Sequence, residues 1–459
     1  MHNNGSYFGL EIDMKQFNEA RAGVISRLFS IACLLALSVT STAEILALTA
    51  DRIIDGNSKK ALQNSTIIID GDSIIAIGGR ELIPDGARVI DLGDATLMPG
   101  MIDAHMHPQL VTGDYQTHHV QRSSAYKTLH AAVTLQKNLL AGWTGIRIVG
   151  DGDVHYGDVD LKRVIEEGTI IGPHIAVAGH YLSITGGGGD VNYMSPEQSI
   201  IADGLIVDGV DEIRRAVRTE IKYGSDWIKI LATGAYQSVG DDPKNVSFST
   251  EEFAAAMEEA TRQGVPVAAH AHATAGIKQA VLAGARSIEH GTFLDDEVID
   301  LMVEHGTWLI PTIYIGDYYL TEGTLRENDR NTYYIEHERP IWIGWLKKAH
   351  KKGVKIGVGL DFGTGYSPNV FAREFATLTE IGMSNMEAIQ AGTRVNAEML
   401  GWDDKLGTLA VGKLADIIAV PGNPLDDISL LEKVSFVMLG GRILKAPDIP
   451  APVKGYLLQ

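Results

Sequence analysis

Two histidines at i, i+2 spacing, His105 and His107, end the stretch Pro99-Gly-Met-Ile-Asp-Ala-His-Met-His107, which follows an apolar run from Ala95 to Ile102. On a β-strand that spacing points both imidazoles to one side, and two neutral imidazoles converging where a strand ends make half of a transition-metal site. Alone, His-x-His is a weak signal. Other apolar runs end in residues of the same kind. Trp227-Ile-Lys229-Ile-Leu231 embeds a lysine among apolar neighbours, and Ala269-His270-Ala-His272 repeats the histidine pair. Ile288-Glu289-His290-Gly291 adds a further histidine, and Gly359-Leu360-Asp361 ends in a carboxylate. Each has a plainer reading taken singly. Lys229 could snorkel from a strand end, each histidine could be a satisfied polar group, and Asp361 could cap a turn. The lysine is the informative member. A buried ammonium is disfavoured, more so beside metal ions. Reaction of its amine with carbon dioxide would make a carbamate, anionic, bidentate and able to bridge two divalent metals.

These residues need a scaffold that brings distant strand ends together. The chain alternates candidate strands (Leu97–Ala104, Gly145–Val149, His174–Ala178, Trp227–Leu231, Pro266–Ala269, Ser287–Glu289, Trp308–Ile313, Lys355–Leu360) with amphipathic helical stretches. The helical stretches include Ser124–Ala141, Asp211–Tyr223, Thr250–Gln263, Thr274–Ala283 and Asp295–His305. Eight β-then-α units over ~300 residues predict a (β/α)₈ TIM barrel, whose active site lies at the C-terminal strand ends. The candidate donors fall at those ends. A doubly wound sheet fits less well, because no Gly-rich phosphate turn follows the first strand, and Gly186–Gly189 lacks a Walker lysine.

Short apolar runs broken by turns occupy residues 44–98, and a matching pattern returns over 403–459. Neither piece can bury a core alone, which predicts one small β-sandwich assembled from both chain ends around a barrel at 99–402.

The 459 residues carry a net charge of −19, which argues against nucleic acid as a partner. Lys15, Arg21 and Arg27 precede an apolar run from Leu28 to Val39 and then Ser41-Thr-Ala43, so residues 1–43 read as a signal peptide. Met14 is the better start by that pattern, which makes residues 1–13 an upstream extension. The run is too short to span a bilayer comfortably. The expected location is periplasmic or secreted, with no membrane association after cleavage. The only cysteine, Cys33, falls inside this segment, so the mature chain has neither disulfide nor thiolate chemistry.

The chain resembles the amidohydrolase superfamily over nearly everything after the signal peptide. Within it the likeness is to the imidazolonepropionase-like branch, which holds metal-dependent Xaa-Pro and Xaa-Arg dipeptidases and ochratoxin-hydrolysing amidases. The residues that carry it are Gly100–His107, Trp227–Gly234, Val267–His272, Ser287–Gly291 and Gly357–Asp361. Gly407-Thr-Leu-Ala-Val-Gly412-Lys-Leu-Ala-Asp416 also looks like the run by which this family re-enters its small β-domain. The resemblance implies two divalent ions, with zinc the expected metal. His105 and His107 would hold the first, carboxylated Lys229 (N6-carboxylysine) would bridge, and His270 and His290 would hold the second. Asp361 would ligate the first ion and shuttle protons, while His272 would face substrate. A homo-oligomer is the family's habit. There is one departure: Gly188 stands where relatives often carry a histidine, so dipeptidase specificity does not transfer simply.

The reaction implied is hydrolysis of an amide. The metals would acidify water and polarise the carbonyl, and Asp361 would act as general base and then general acid. Tyr236 after the fourth strand, and Tyr314, Tyr318 and Tyr319 in the loop after the seventh, would either wall the pocket or pack loop against loop. The expected substrate is a small amide or dipeptide, cleaved between an acyl or aminoacyl group and a C-terminal amino acid, ochratoxin A included. Alternatives are a cyclic-amide hydrolase such as an imidazolonepropionase, and a non-enzymatic binding protein on the same fold.

Overall fold

Strands from both ends of the chain share one sheet in the computed structural model, which describes residues 44–111, 115–321, 333–366 and 368–447. The expected signal peptide and Cys33 lie outside the described residues. Among the described residues no helix is long and apolar enough to cross a membrane. The early strands are β1 (Leu46–Ile53), β2 (Leu62–Asp70), β3 (Ser73–Gly78), β4 (Arg88–Asp91) and β5 (Ala95–Pro99). There follow β6 (Met101–Val111), β7 (Trp143–Val149), β8 (His174–Ala178), β9 (Tyr181–Ser183), β10 (Leu205–Ile206) and β11 (Ile228–Leu231). The rest are β12 (Val267–Ala271), β13 (Ser287–His290), β14 (Trp308–Ile310), β15 (Lys355–Ile356), β16 (Phe362–Thr364), β17 (Ile417–Pro421), β18 (Phe436–Leu439) and β19 (Arg442–Lys445).

The first sheet runs β19-β18-β17-β5-β1-β2-β3, with β4 beside β1. Alternation along its strands explains their unbroken apolar sequences. Leu97, Ile417 and Ala419 face the small core around Leu48, Ile67 and Phe436, while Met98, Ile418 and Val420 face the large one. Both faces are buried there, so no polar face interrupts the pattern.

The run from Leu97 to Ala104, expected as one strand, is divided at Gly100. A Cβ at Gly100 would fall 2.0 Å from Thr144 Oγ1, so this close crossing from the first sheet to the next requires glycine. Beyond it, two sheets are wholly parallel: β16-β6-β7-β8 and β10-β9-β11-β12-β13-β14-β15. Backbone hydrogen bonds cross between these two sheets at both margins. Asp226 and Trp227 donate to Val177 O at 2.7 and 3.1 Å, while Ala104 donates to Val358 O at 3.0 Å and Asp361 to His105 O at 2.7 Å. Asn396 Nδ2 donates to both Ile102 O and Val358 O at 2.7 Å, tying the second margin again.

The third candidate strand, His174–Ala178, is observed as β8 with the expected bounds. After Ala178 the N–H groups of Gly179 and His180 turn from the ladder to Ser225 Oγ and Glu220 Oε2, each at 2.9 Å, and the short strand β9 follows. His180 Nδ1 also reaches Glu220 Oε1 at 2.9 Å. Burial pulls the His180 pKa down, but the hydrogen bond and charge of Glu220 outweigh it and hold it above the ordinary value. A raised folded-state pKa stabilises the fold fully below the unfolded value of about 6.5, and the contribution fades as pH rises through the folded value. The stability advantage over His180→Gln is therefore expected to grow as the solution is acidified toward the unfolded value of about 6.5. Urea midpoints at several pH values check this, and an advantage that shrinks on acidification contradicts it.

The seventh strand ends at Ile310, earlier than expected. Pro311 cannot donate to a ladder, Thr312 takes a left-handed φ of 53°, and helix Ile313–Thr321 begins at once. Its first N–H groups, from Ile313 and Tyr314, bond the buried Glu374 carboxylate at 3.0 and 2.7 Å. Tyr314, Tyr318 and Tyr319 therefore sit on a helix, which corrects the loop expected for them.

Candidate metal centre

Strand β6 delivers His105 and His107 to the same side, as the spacing predicts, with their Nε2 atoms 3.2 Å apart. Asp361 follows the eighth candidate strand, and its Oδ1 lies 3.4 Å from His105 Nε2 and 3.2 Å from His107 Nε2. His105 Nδ1 donates to Glu289 Oε2 at 2.7 Å, and His107 Nδ1 donates to Gly150 O. Both acceptors can only accept, so in the neutral rings each proton sits on Nδ1 and each lone pair on Nε2. Three lone-pair atoms thus face one another with no hydrogen to share, an arrangement that repels itself unless a cation lies between. Ligands at ~2.0–2.1 Å from one tetrahedral ion stand about 3.3–3.4 Å apart, close to the spacing found. The donor set fits a divalent metal.

A second group adjoins it. His270, His272 and His290 each offer a ring nitrogen, all within 4.8 Å of one another. His270 Nε2 donates to Gly234 O at 3.2 Å, which leaves Nδ1 as its lone-pair atom. His290 Nδ1 is bonded to Thr312 Oγ1 and His272 Nδ1 to Thr292 Oγ1, both at 2.8 Å. The His105 and His290 ring centroids are 5.0 Å apart, so the two groups are neighbours in one pocket. Burial lowers the pKa values of His105 and His290 and takes His270 down to about 3; the Lys229 charge and neighbouring imidazoles add to this. Neutral imidazoles are the metal-binding form.

Lys229, at 2% exposure, lines the same cavity and makes no ion pair among the described residues. Burial lowers its pKa to about 8, against the pull of Glu289 and Asp361. That shift favours the neutral amine, the form that can add carbon dioxide.

The backbone at this pocket is strained. Among the described residues four that are not glycine have left-handed φ, and three of them, His290 (72°), Thr312 (53°) and Asp361 (57°), line this cavity. Such conformations cost about 1–3 kcal/mol each and persist where the surroundings over-determine them. Gly359 completes the packing: a Cβ there would lie 2.3 Å from Ile310 Cγ2 and 2.7 Å from His105 Cβ. Gly359→Ala is expected to cost about 1–3 kcal/mol by overpacking and to weaken metal retention by displacing His105. Thermal unfolding and metal analysis of the variant check this; wild-type values for both would contradict it.

The cavity has a volume of about 210 Å³. Tyr236 and Tyr319 both line it, as does Gly188. Tyr236 donates to Glu338 Oε2 at 2.6 Å and packs edge-on against His272 at 4.8 Å, while Tyr319 OH accepts from Tyr366 OH at 3.3 Å. A Cβ at Gly188 would meet Leu231 Cδ1 at 2.8 Å and Ser238 Oγ at 3.3 Å, so a histidine there would need those two side chains to shift. Tyr314 turns away instead, accepting from Arg373 at 2.8 Å, and Tyr318 packs on Phe362 and Tyr366.

The sequence reading missed two charged residues behind the donors, Arg147 and Glu289, both at 0% exposure and paired at 2.7 Å. The available signal was an arginine inside the apolar strand Trp143–Val149 and a glutamate directly before His290.

A parallel β/α scaffold carrying these histidine groups at its strand ends defines a class of metal-dependent hydrolases. Residues 96–444 match the Amidohydrolase family, and the chain belongs to that family. It is a hydrolase of carbon–nitrogen bonds. The ochratoxinase of Aspergillus niger is 33% identical over 378 residues, 77% of this chain and 76% of that protein. The crystal structure of A. niger ochratoxinase superposes with a TM-score of 0.78 at 29% identity, over 89% of this chain and 98% of that one. A crystal structure of a Xaa-Pro dipeptidase with bound methionine in the active site is 34% identical, with a TM-score of 0.81 over 88% of this chain and all of that one.

Proposed function

We propose that this protein is a binuclear amidohydrolase that cleaves the amide bond between an acyl or aminoacyl group and a C-terminal amino acid, ochratoxin-type substrates included. The observation that carries this is the pair of adjoining donor groups in one cavity, with Lys229 lining it beside them. His105, His107 and Asp361 would hold the first ion, His270 and His290 the second, and carboxylated Lys229 would join them, with zinc the metal that suits imidazole and carboxylate donors. His272 faces substrate in this scheme. Bound divalent ions make water acidic and polarise a carbonyl.

The rest of the work falls to the chain. Asp361 takes the proton of the attacking water and hands it to the leaving nitrogen, general base and then general acid. A cation held by Asp361 together with His105 and His107 would keep its carboxylate ionised, the state a base requires. Tyr236 and Tyr319 offer aromatic surface to the acyl group.

The scaffold reading goes with this function. The two parallel sheets, bonded at both margins, are read as one (β/α)₈ barrel over residues 99–402, and the first sheet as a small β-sandwich from 44–98 and 403–459. The exported location, with residues 1–43 removed, and a homo-oligomeric state belong to the same proposal.

The test is hydrolysis by zinc-loaded protein lacking residues 1–43, on N-acyl amino acids and dipeptides varied at the C-terminal residue, with ochratoxin A and one lactam. Release of the free C-terminal amino acid supports the proposal. Silence on the acyclic panel with two metals bound would remove it, and opening of the lactam would move the assignment to cyclic amides.

A further inference from the structure

Arg147 and Glu289 are fully buried charges that do not line the cavity. A buried ion pair is seldom more stabilising than apolar side chains of similar volume, so its stability contribution does not account for it here. Its contacts do. Arg147 Nε donates to Ala104 O, the carbonyl directly before His105, at 2.6 Å, and its terminal nitrogens reach Ser287 Oγ at 3.0 Å and Glu289 Oε1 at 2.7 Å. Glu289 Oε2 accepts from His105 Nδ1 at 2.7 Å. The pair therefore grips both the backbone and the ring of one histidine. A regular strand would turn Glu289 and His290 to opposite faces. The left-handed φ of 72° at His290 breaks that alternation, so Glu289 bonds the His105 ring while His290 stands 5.0 Å from it.

The other proposed ligands are held differently. His107 donates to a backbone carbonyl, as does His270, and His290 bonds the Thr312 hydroxyl. Among these four imidazoles only His105 is recorded with a charged group on its outer nitrogen.

We infer that Arg147 and Glu289 are positioning residues for His105, fixing its proton on Nδ1 and its lone pair on Nε2 and thereby setting the affinity of the His105–His107–Asp361 site. The inference rests on that group being a metal site. A carboxylate behind a ligating imidazole orients the ring and raises its basicity, and losing one weakens metal binding by ~10–100-fold. Arg147 balances the carboxylate and locks its direction.

The experiment is competition for Zn²⁺ between purified metal-free protein and a chromogenic chelator in the presence of bicarbonate, with Co²⁺ absorption spectra as a second readout. Glu289→Gln keeps the shape and an acceptor but loses the charge. It is expected to weaken one of the two ions by ~10–100-fold, leave the other unchanged and alter one Co²⁺ spectrum. Because that variant leaves Arg147 buried without its counter-charge, Arg147→Met/Glu289→Gln is measured alongside, with folding followed by circular dichroism. It removes both charges and is expected to fold and to show the same selective loss. Unchanged affinities, equal weakening of both ions, or a double variant that does not fold would each overturn the inference. Wild-type protein that takes up no divalent ion would instead overturn the metal reading beneath it.

Discussion

Asp361→Asn is expected to lower kcat/KM for amide hydrolysis by on the order of 10³-fold or more, the upper part of the range for losing a positioned acid–base group. The variant is a clean one. Asparagine is nearly isosteric and, with aspartate, among the residues that best tolerate a left-handed backbone, so the φ of 57° at this position adds no new strain. What disappears is the charge that meets His105 and His107 at 3.4 and 3.2 Å, and with it the group that moves the proton. Steady-state kinetics with metal content measured on the same sample separate the two losses. A rate fall with both ions retained assigns Asp361 to proton transfer, whereas loss of one ion with the rate assigns it first to ligation. Activity within a few-fold of wild type would remove Asp361 from the mechanism.

The second large effect is expected at Lys229. Lys229→Ala should lose metal and lower activity by on the order of 10²–10³-fold, as expected when a preorganised charge is removed from an active site. The informative part is what restores it. Truncation leaves a cavity the length of the lysine stem beside the donor groups, with room for a short carboxylic acid. If a carbamate is the working form, propionate should restore activity in a saturable manner, and an amine of similar length should not. Rescue by the amine, or activity unaffected by the substitution, would contradict the carbamate. The pKa of about 8 bears on how the group forms, because the neutral amine is accessible near neutral pH without assistance.

Most of the donor set was legible in the sequence because it lies at the ends of apolar runs, where a parallel β/α scaffold collects side chains from distant segments. His105 and His107 needed only strand periodicity, while Lys229 stood out as a charge embedded in a hydrophobic strand and Asp361 as one closing such a run. His272 was harder. Its i+2 spacing from His270 predicts a shared side, but how close it comes to His290 depends on the left-handed turn at His290, which no periodicity encodes. The short strand β9 that follows the third strand was hidden for a related reason, since the Glu220 that bonds the intervening His180 lies 40 residues away. The same holds for Arg147 and Glu289, 142 residues apart, whose pairing appears only once β7 and β13 are folded. Tyr314, Tyr318 and Tyr319 were assigned to a loop because the signal for their helix is Glu374, a remote carboxylate bonding its first N–H groups. Local pattern marked which residues carry chemistry, and long-range hydrogen bonding decided how they are held.

The most direct test of the account is the number of divalent ions bound per chain, measured by elemental analysis after reconstitution with zinc and bicarbonate. The account predicts two ions for the wild-type protein, with the second lost or greatly weakened when bicarbonate is withheld. One ion irrespective of bicarbonate, or none, would contradict it.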